Sequence, residues 1–494
     1  MSRISWTGGI CMSESSIDLN PRTIPEAPRN RFYRTVWRWH FYAGLFVIPF
    51  MLMLGTTGIV YLFKPQLDAA MYHNLMFVQP DAALLPYTEQ LQALQQVYPD
   101  ATLTEFTPNV AADRSTEVAI TTANEQNLTV FVSPYTGQIL GEQDADNNLQ
   151  ANARRLHSEL MLGTWGDYLV ELAACWALVL LLSGIYLWFP RKNLSLLGTL
   201  IPRLWSPNKR IFWRDLHAVP GFYGVLLVGF LILTGLPWSA FWGDTFAQVW
   251  GRFPDQMWDD IPASTVLTGS LNHQGKTVVP WAVEQFPMPQ SNPDGYAYDA
   301  EAPQAELVAY RAGLVNSPPV DLNTVVALAQ AEGVPPGFSV TFPDGETGVY
   351  TVSAFPNDPT QEVTMHIDQY SGQLLADVRW QDYGLVPKAV EMGVAIHMGK
   401  YFGLTNQLLM LLASSITILL SVTGAVLWWQ RRPKASGWLG APAIPAHVQS
   451  WRVPLAIVAV LGLVFPLVGF SLVTVLLLDY FVLSRIPLLR RVFY

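Results

Sequence analysis

Long apolar runs alternate with long polar ones along this chain. Four of them, about Val36–Phe63, Tyr168–Phe189, His217–Trp238 and Gln407–Trp429, are long enough to cross a bilayer as helices, which takes roughly 20 residues. A fifth, Val453–Leu483, is too long for one ordinary span and has Pro466 and Gly469 near its centre. It predicts a helical hairpin turning there, with a single tilted span as the alternative. The polar stretches carry shorter signals. Thr88–Tyr98 and Asp321–Glu332 read as amphipathic helices. Period-two alternation predicts strands at Glu117–Thr122, Leu128–Val132, Gly348–Ala354 and Glu362–Ile367. Glycine turns at Gly137 and Gly372 close these runs as hairpins.

The predicted organisation is a mainly α-helical membrane protein with two α+β modules on one side. The spans are 31–63, 156–190, 213–240 and 396–430, and the modules are 64–155 and 321–395. Residues 241–320, rich in Trp and Pro, form an insertion with no counterpart in the first half. The loops 191–212 and 431–452 connect spans, and 453–494 is the hairpin. Residues 1–30 are polar and read as a disordered N-terminus, without the apolar core of a signal peptide. Met12 is an alternative start.

Composition agrees with the membrane assignment: 51% of residues are hydrophobic and only 14% charged, against about a quarter charged in soluble domains. A net charge of −9 argues against a nucleic-acid partner. The two cysteines, Cys11 and Cys175, exclude a disulfide framework, a Cys-ligated zinc site and an iron–sulfur cluster. Basic residues cluster before the first span (Arg31, Arg34, Arg38), between the second and third (Arg191 to Arg214), and after the fourth (Arg431, Arg432, Lys434). By the positive-inside rule these ends are cytoplasmic. The modules then face the periplasm of a bacterial inner membrane.

The chain repeats itself. Gly44 follows His40 by four residues and Gly221 follows His217 by four. Thr57-Gly58 and Thr234-Gly235 then fall at the same distance from those two histidines. His157 leads to Gly163, Ser183-Gly184 and Trp188, and His397 leads to Gly403, Thr423-Gly424 and Trp428 at the same offsets. The fold is therefore span–module–span twice, expected to pack about a pseudo-twofold axis along the membrane normal. Across that axis His40 faces His217 at the cytoplasmic side. His157 faces His397 near the outer surface, in lead-ins broken at glycines such as Gly163 and Gly166.

Paired imidazoles at membrane depth point to bis-histidine haem b, one near each membrane face, with all four histidines as iron ligands. Gly44 and Gly221 are candidate cofactor-binding positions, because a missing Cβ leaves a face for a porphyrin. Gly55, Gly58, Gly235 and Gly424 suit close helix packing. His73, His273, His366 and His447 have no partner in the other half. Trp242, Trp250, Trp258 and Trp281 are candidates for walling in an organic ligand, and Asp255, Asp259, Asp260 and Glu284 for binding a metal cation. No Gly-x-Gly-x-x-Gly follows a strand, so electrons come from a quinol or a separate cytoplasmic donor. Arg31, Arg38, Arg210 and Arg214 are candidates to guide such a donor or hold propionates. Asp479 is either a quinone-site acid or an interfacial residue.

The motifs Trp39-His40-Phe41-Tyr42-Ala43-Gly44-Leu45-Phe46, Leu156-His157, Trp213-Arg214-Asp215-Leu216-His217-Ala218, and His397 with Gly399 and Gly403 resemble the PepSY-associated transmembrane family. The resemblance covers roughly residues 30–435. It implies an oxidoreductase that reduces Fe(III) held by a siderophore in the periplasm, through haem, for iron uptake. Two other classes stay open: a membrane-anchored PepSY-type binding or inhibitory module, and a transporter of iron or siderophore.

Overall fold

A computed structural model describes residues 28–81, 83–191, 195–250, 263–272, 279–293, 320–432, 452–483 and 485–486. Residues 1–27, Asp255, Trp258, Asp259, Asp260, His273 and His447 lie outside the described residues, as do the side chains of Arg31, Trp250 and Asp479.

Among the described residues, four helices are long and apolar enough to cross a membrane: Phe32–Leu62, Thr164–Trp188, Lys209–Trp238 and Gly403–Arg431. They close into a ring in which the first packs on the second and fourth, and the third packs on the same two. The first and third spans therefore face each other across the bundle centre. Close approach depends on small residues: a Cβ on Gly55 would come within 2.7 Å of Ile418, and one on Gly224 within 2.6 Å of Ile416.

The second and fourth spans each have a separate lead-in helix. Asn148 caps the helix Leu149–Glu159 by accepting the Ala151 N–H. Leu160, Met161 and Gly163 then turn the chain through positive φ into the second span. The helix Leu385–His397 ends at Gly399 (φ +74°), and Gly403 (φ +58°) opens the fourth span. Left-handed φ at these glycines costs little because no Cβ meets the carbonyl. The expected break near Gly163 is present. Gly166 is not part of it, for it lies in the first turn of the span and leaves room for the Glu159 carbonyl.

The polar segments form an eight-stranded antiparallel sheet in the order β10-β9-β8-β7-β1-β2-β3-β4. The strands are β1 Thr102–Thr107, β2 Thr116–Thr121, β3 Asn127–Val132, β4 Ile139–Asp144, β7 Ser339–Thr341, β8 Val349–Ala354, β9 Val363–Asp368 and β10 Leu374–Arg379. A two-stranded ribbon, β5 Ala263–Leu267 with β6 Pro287–Pro289, belongs to the insertion, which also holds a helix at Trp242–Trp250. The two modules expected as separate units are one sheet, joined where Glu105 pairs with Thr341 and Phe106 with Val340. The helices Tyr87–Val97 and Leu322–Ala331 meet through Asn323, which accepts the Tyr87 N–H and donates to Thr88. Leu94, Phe106, Val130, Val326, Val340 and Met365 share one core that spans both halves of the sheet. The same turn appears twice, with Gly137 (φ +71°) donating to Ser133 and Gly372 (φ +72°) donating to Asp368.

Beyond the fourth span, the helices Arg452–Val464 and Pro466–Leu478 fold back on each other. Gly462 and Gly469 stand so close that a Cβ on Gly469 would lie 2.8 Å from the Gly462 Cα. Residues seven apart in a continuous helix stand roughly 10 Å apart, so the chain reverses here.

Candidate functional site

His40 lies early in the first span and His217 early in the third, so the ring of helices aims both at the bundle centre. Their ring centroids are 6.5 Å apart, with planes at 84°. Two imidazoles sharing one metal through Nε2 bonds of ~2.0–2.1 Å put their centroids roughly 6 Å apart, so the spacing fits a shared ion.

His157 and His397 end their lead-in helices and turn inward. Sequence spacing placed them near the outer surface, beyond the spans. The helix Leu149–Glu159 packs on the first span, and the helix Leu385–His397 packs on the third. Both histidines line a cavity of about 1320 Å³ between the bundle and the sheet. A neutral imidazole is the form able to act as a ligand. The first span carries both levels: from His40 to Thr57, beside His157, is roughly 26 Å of helix.

One contact recurs at all four histidines. Nδ1 of His40 lies 2.8 Å from Ser183 Oγ, that of His157 2.8 Å from Thr57 Oγ1, that of His217 2.9 Å from Thr423 Oγ1, and that of His397 2.8 Å from Thr234 Oγ1. Each hydroxyl also donates its one proton to a backbone carbonyl of its own helix: Leu180, Met53, Leu419 and Phe230 respectively. With that donor spent, each hydroxyl accepts from Nδ1–H. Hydrogen-bond accounting thus assigns the Nδ1–H tautomer to all four rings and leaves the Nε2 lone pairs for a ligand.

The residue after each hydroxyl is glycine, and it lies beneath the same ring. A Cβ on Gly184, Gly58, Gly424 or Gly235 would sit 3.5 to 3.7 Å from Cε1 of His40, His157, His217 or His397. These Ser/Thr-Gly dipeptides mark the sequence repeat, but their role against the histidines was invisible there. A Cβ on Gly221, one of the two expected cofactor-facing glycines, would come within 3.3 Å of Leu420, whereas one on Gly44 would meet only Leu180, at 4.0 Å.

Among the described residues, no group of three or more His, Cys, Asp or Glu side chains could hold a metal ion. His40 and His217 offer two imidazoles at shared-metal spacing, without a third such ligand among the described residues. That donor set fits a metal whose remaining positions are filled by a macrocycle, as in haem.

The other candidates fall elsewhere. His73 stacks on Phe77, and His366 is buried in β9 beside Thr351. Trp281 is buried and lines the cavity. Trp242 does not line it, because its ring stacks on Phe246 and its indole N–H donates to the Val464 carbonyl of the C-terminal hairpin. Glu284 accepts from Asn272 in the insertion. Arg214 is committed to the buried Asp215, which also binds Arg203. Arg38 lies over the Tyr42 ring.

The cavity wall also carries residues that sequence reasoning did not single out as a group: Glu362, Glu391 and Lys400. Burial, then the neighbouring carboxylate, raises the Glu362 pKa, and burial raises that of Glu391. A search of curated proteins finds no match for this chain. The family model described as PepSY-associated TM region matches residues 37–431, an interval holding all four histidines and their hydroxyl partners, and the chain belongs to that family.

Proposed function

We propose that the protein is a two-haem electron carrier of a bacterial inner membrane that reduces a ferric siderophore on its periplasmic side. The observation that carries this reading is the fourfold contact of imidazole, hydroxyl and glycine, with one pair of rings at shared-metal spacing. His40 and His217 would hold haem b at the cytoplasmic side, and His157 and His397 at the outer side. Held by these histidines, haem would supply a one-electron couple.

The remaining features support the same function. The hydroxyls orient the rings, and neutral Nε2 atoms point away from them. In this reading the halves are related by a pseudo-twofold axis, which accounts for the repeated contacts. The cavity joins the outer pair to a polar chamber beneath the sheet, with Thr104, Thr121, Asn127 and Asp344 on its wall. An Fe(III) chelate in that chamber would stand near the outer histidines. Fe(II) binds hard chelating oxygens more weakly, so reduction frees the metal. A quinol or a cytoplasmic protein supplies electrons at the basic end, near Arg203 and Arg432.

Oxidised and dithionite-reduced spectra of the detergent-purified protein, with haem measured per chain, test the proposal. Low-spin b-type bands with two haems per chain are expected. Protein without haem, after expression with ample haem, would sink it.

A further inference from the structure

The cavity wall holds two carboxyl groups and one ammonium: Glu362, Glu391 and Lys400. Glu362 follows the turn Pro359–Gln361 and leads into β9. It is 6% exposed, and among the described residues its Oε2 has no hydrogen-bond partner. Glu391 lies on the lead-in helix Leu385–His397, is 3% exposed, and accepts the Ala282 N–H through Oε1. Lys400 follows that helix and lines the same cavity.

Three charges cannot balance here. One carboxylate is matched by Lys400, and the second must be neutral, because an uncompensated buried charge is expensive. The backbone N–H on Glu391 favours its ionised form, while nothing donates to the Glu362 Oε2. Glu362 therefore holds the proton. The other groups facing this cluster do not reverse the balance. Asp358 and Tyr383 adjoin Glu362, and Glu284 adjoins Glu391. Asp358 and Glu284 disfavour further negative charge, the Tyr383 phenol is neutral, and Lys64 opposes the charge of Lys400.

We infer that Glu362 is the proton donor of the outer chamber, protonating a chelating oxygen as the bound Fe(III) is reduced. The inference rests on the proposed ferric-chelate reduction. One electron, supplied from the inner side by a quinol or a reduced cytoplasmic carrier, converts Fe(III) to Fe(II). The Fe–O bond breaks with its electron pair remaining on oxygen. That oxygen takes the Glu362 proton and forms an O–H bond, leaving a carboxylate that solvent re-protonates through the cavity. Protonation blocks rebinding, so electron and proton together commit the chelate to release. Glu391 and Lys400 are positioning residues that keep the Glu362 carboxyl neutral before the electron arrives.

The test compares Glu362→Gln with the wild-type holoprotein on two acceptors. One is a tris-hydroxamate Fe(III) chelate, whose release takes up protons, and the other is ferricyanide, whose reduction takes up none. The expected result is a rate with the hydroxamate lowered on the order of 100-fold relative to the rate with ferricyanide, with haem spectra retained. Glu362→Asp should recover part of the loss. A protonated-carboxyl infrared band present at neutral pH in the wild type should vanish in Glu362→Gln. Equal loss with both acceptors, an unchanged ratio, or a carboxyl band that persists would overturn the assignment. A wild-type protein that reduces ferricyanide but not the chelate, or that reduces neither, overturns the functional reading and the inference together. A failure confined to the variant overturns the inference alone.

Discussion

Thr234 and His397 lie on different helices, 163 residues apart, and their Oγ1 and Nδ1 atoms are 2.8 Å apart. The threonine donates to the Phe230 carbonyl at 2.7 Å, so it can only accept from the ring. One hydroxyl thus sets both the tautomer and the orientation of an imidazole that reaches it by way of a separate helix.

Thr234→Val keeps the shape and removes the acceptor. Haem retention at the outer site should fall about 10–100-fold, the usual loss when such an orienting partner is removed. Thr234→Ser should keep the site. Haem per chain after repeated dilution, followed by absorbance, separates the two variants. Equal retention would show that the hydroxyl has no orienting role.

Gly424 tests how closely the ring lies over the helix. A Cβ there would stand 3.6 Å from the His217 Cε1, an ordinary van der Waals distance. Gly424→Ala should therefore preserve the inner haem bands, and Gly424→Val should broaden or abolish them by pushing the ring aside. Identical spectra from the two variants would mean that the ring has free space.

If the proposed pairing holds, His217→Ala and His157→Ala each remove one of two spectroscopically distinct haems, because the pairs lie roughly 26 Å apart along the first span. Redox titration of each variant reads the surviving potential. Retention of both haems in either variant would break the pairing.

Asp215 is 1% exposed and binds both Arg203 and Arg214. Asp215→Asn leaves two cations facing each other with no anion between them. Removing one partner of a buried pair costs about 3–5 kcal/mol. The arginines are partly exposed, which argues for the lower part of that range. A thermal melt in detergent measures the loss, and a wild-type midpoint would show that solvent carries these charges.

The Glu362 and Glu391 pair gives stability a pH dependence of known sign. Folding raises both pKa values above 4.5, Glu362 through burial and then the Glu391 charge, and Glu391 through burial. The folded state then binds protons that the unfolded chain has already released. Stability is full below pH 4.5 and falls as pH rises through the raised values. Glu362→Gln should flatten that decline across the neutral range. A decline as steep as that of the wild type would place its origin elsewhere.

Much of this protein was legible in residue order because the relevant physics is local. Apolar runs of span length, period-two strands and the glycine turns at Gly137 and Gly372 each depend on near neighbours. The repeat added His40, His157, His217 and His397 in register. What stayed hidden depends on contacts between distant segments. β1 and β7 join the modules at Phe106 and Val340, yet β7 has only three residues and shows no readable period. The neighbour of Gly221 is of the same kind, for Leu420 comes from a separate span.

The sequence by itself determined four spans, the duplication and the four histidines, since periodicity and spacing are written along one dimension. Only the tertiary structure decided that Ser183, Thr57, Thr423 and Thr234 orient those histidines, and that Glu362 and Glu391 share one wall with Lys400. Hydrogen bonds and buried charges act over a few ångströms, and the partners come from separate helices and strands that only packing brings together.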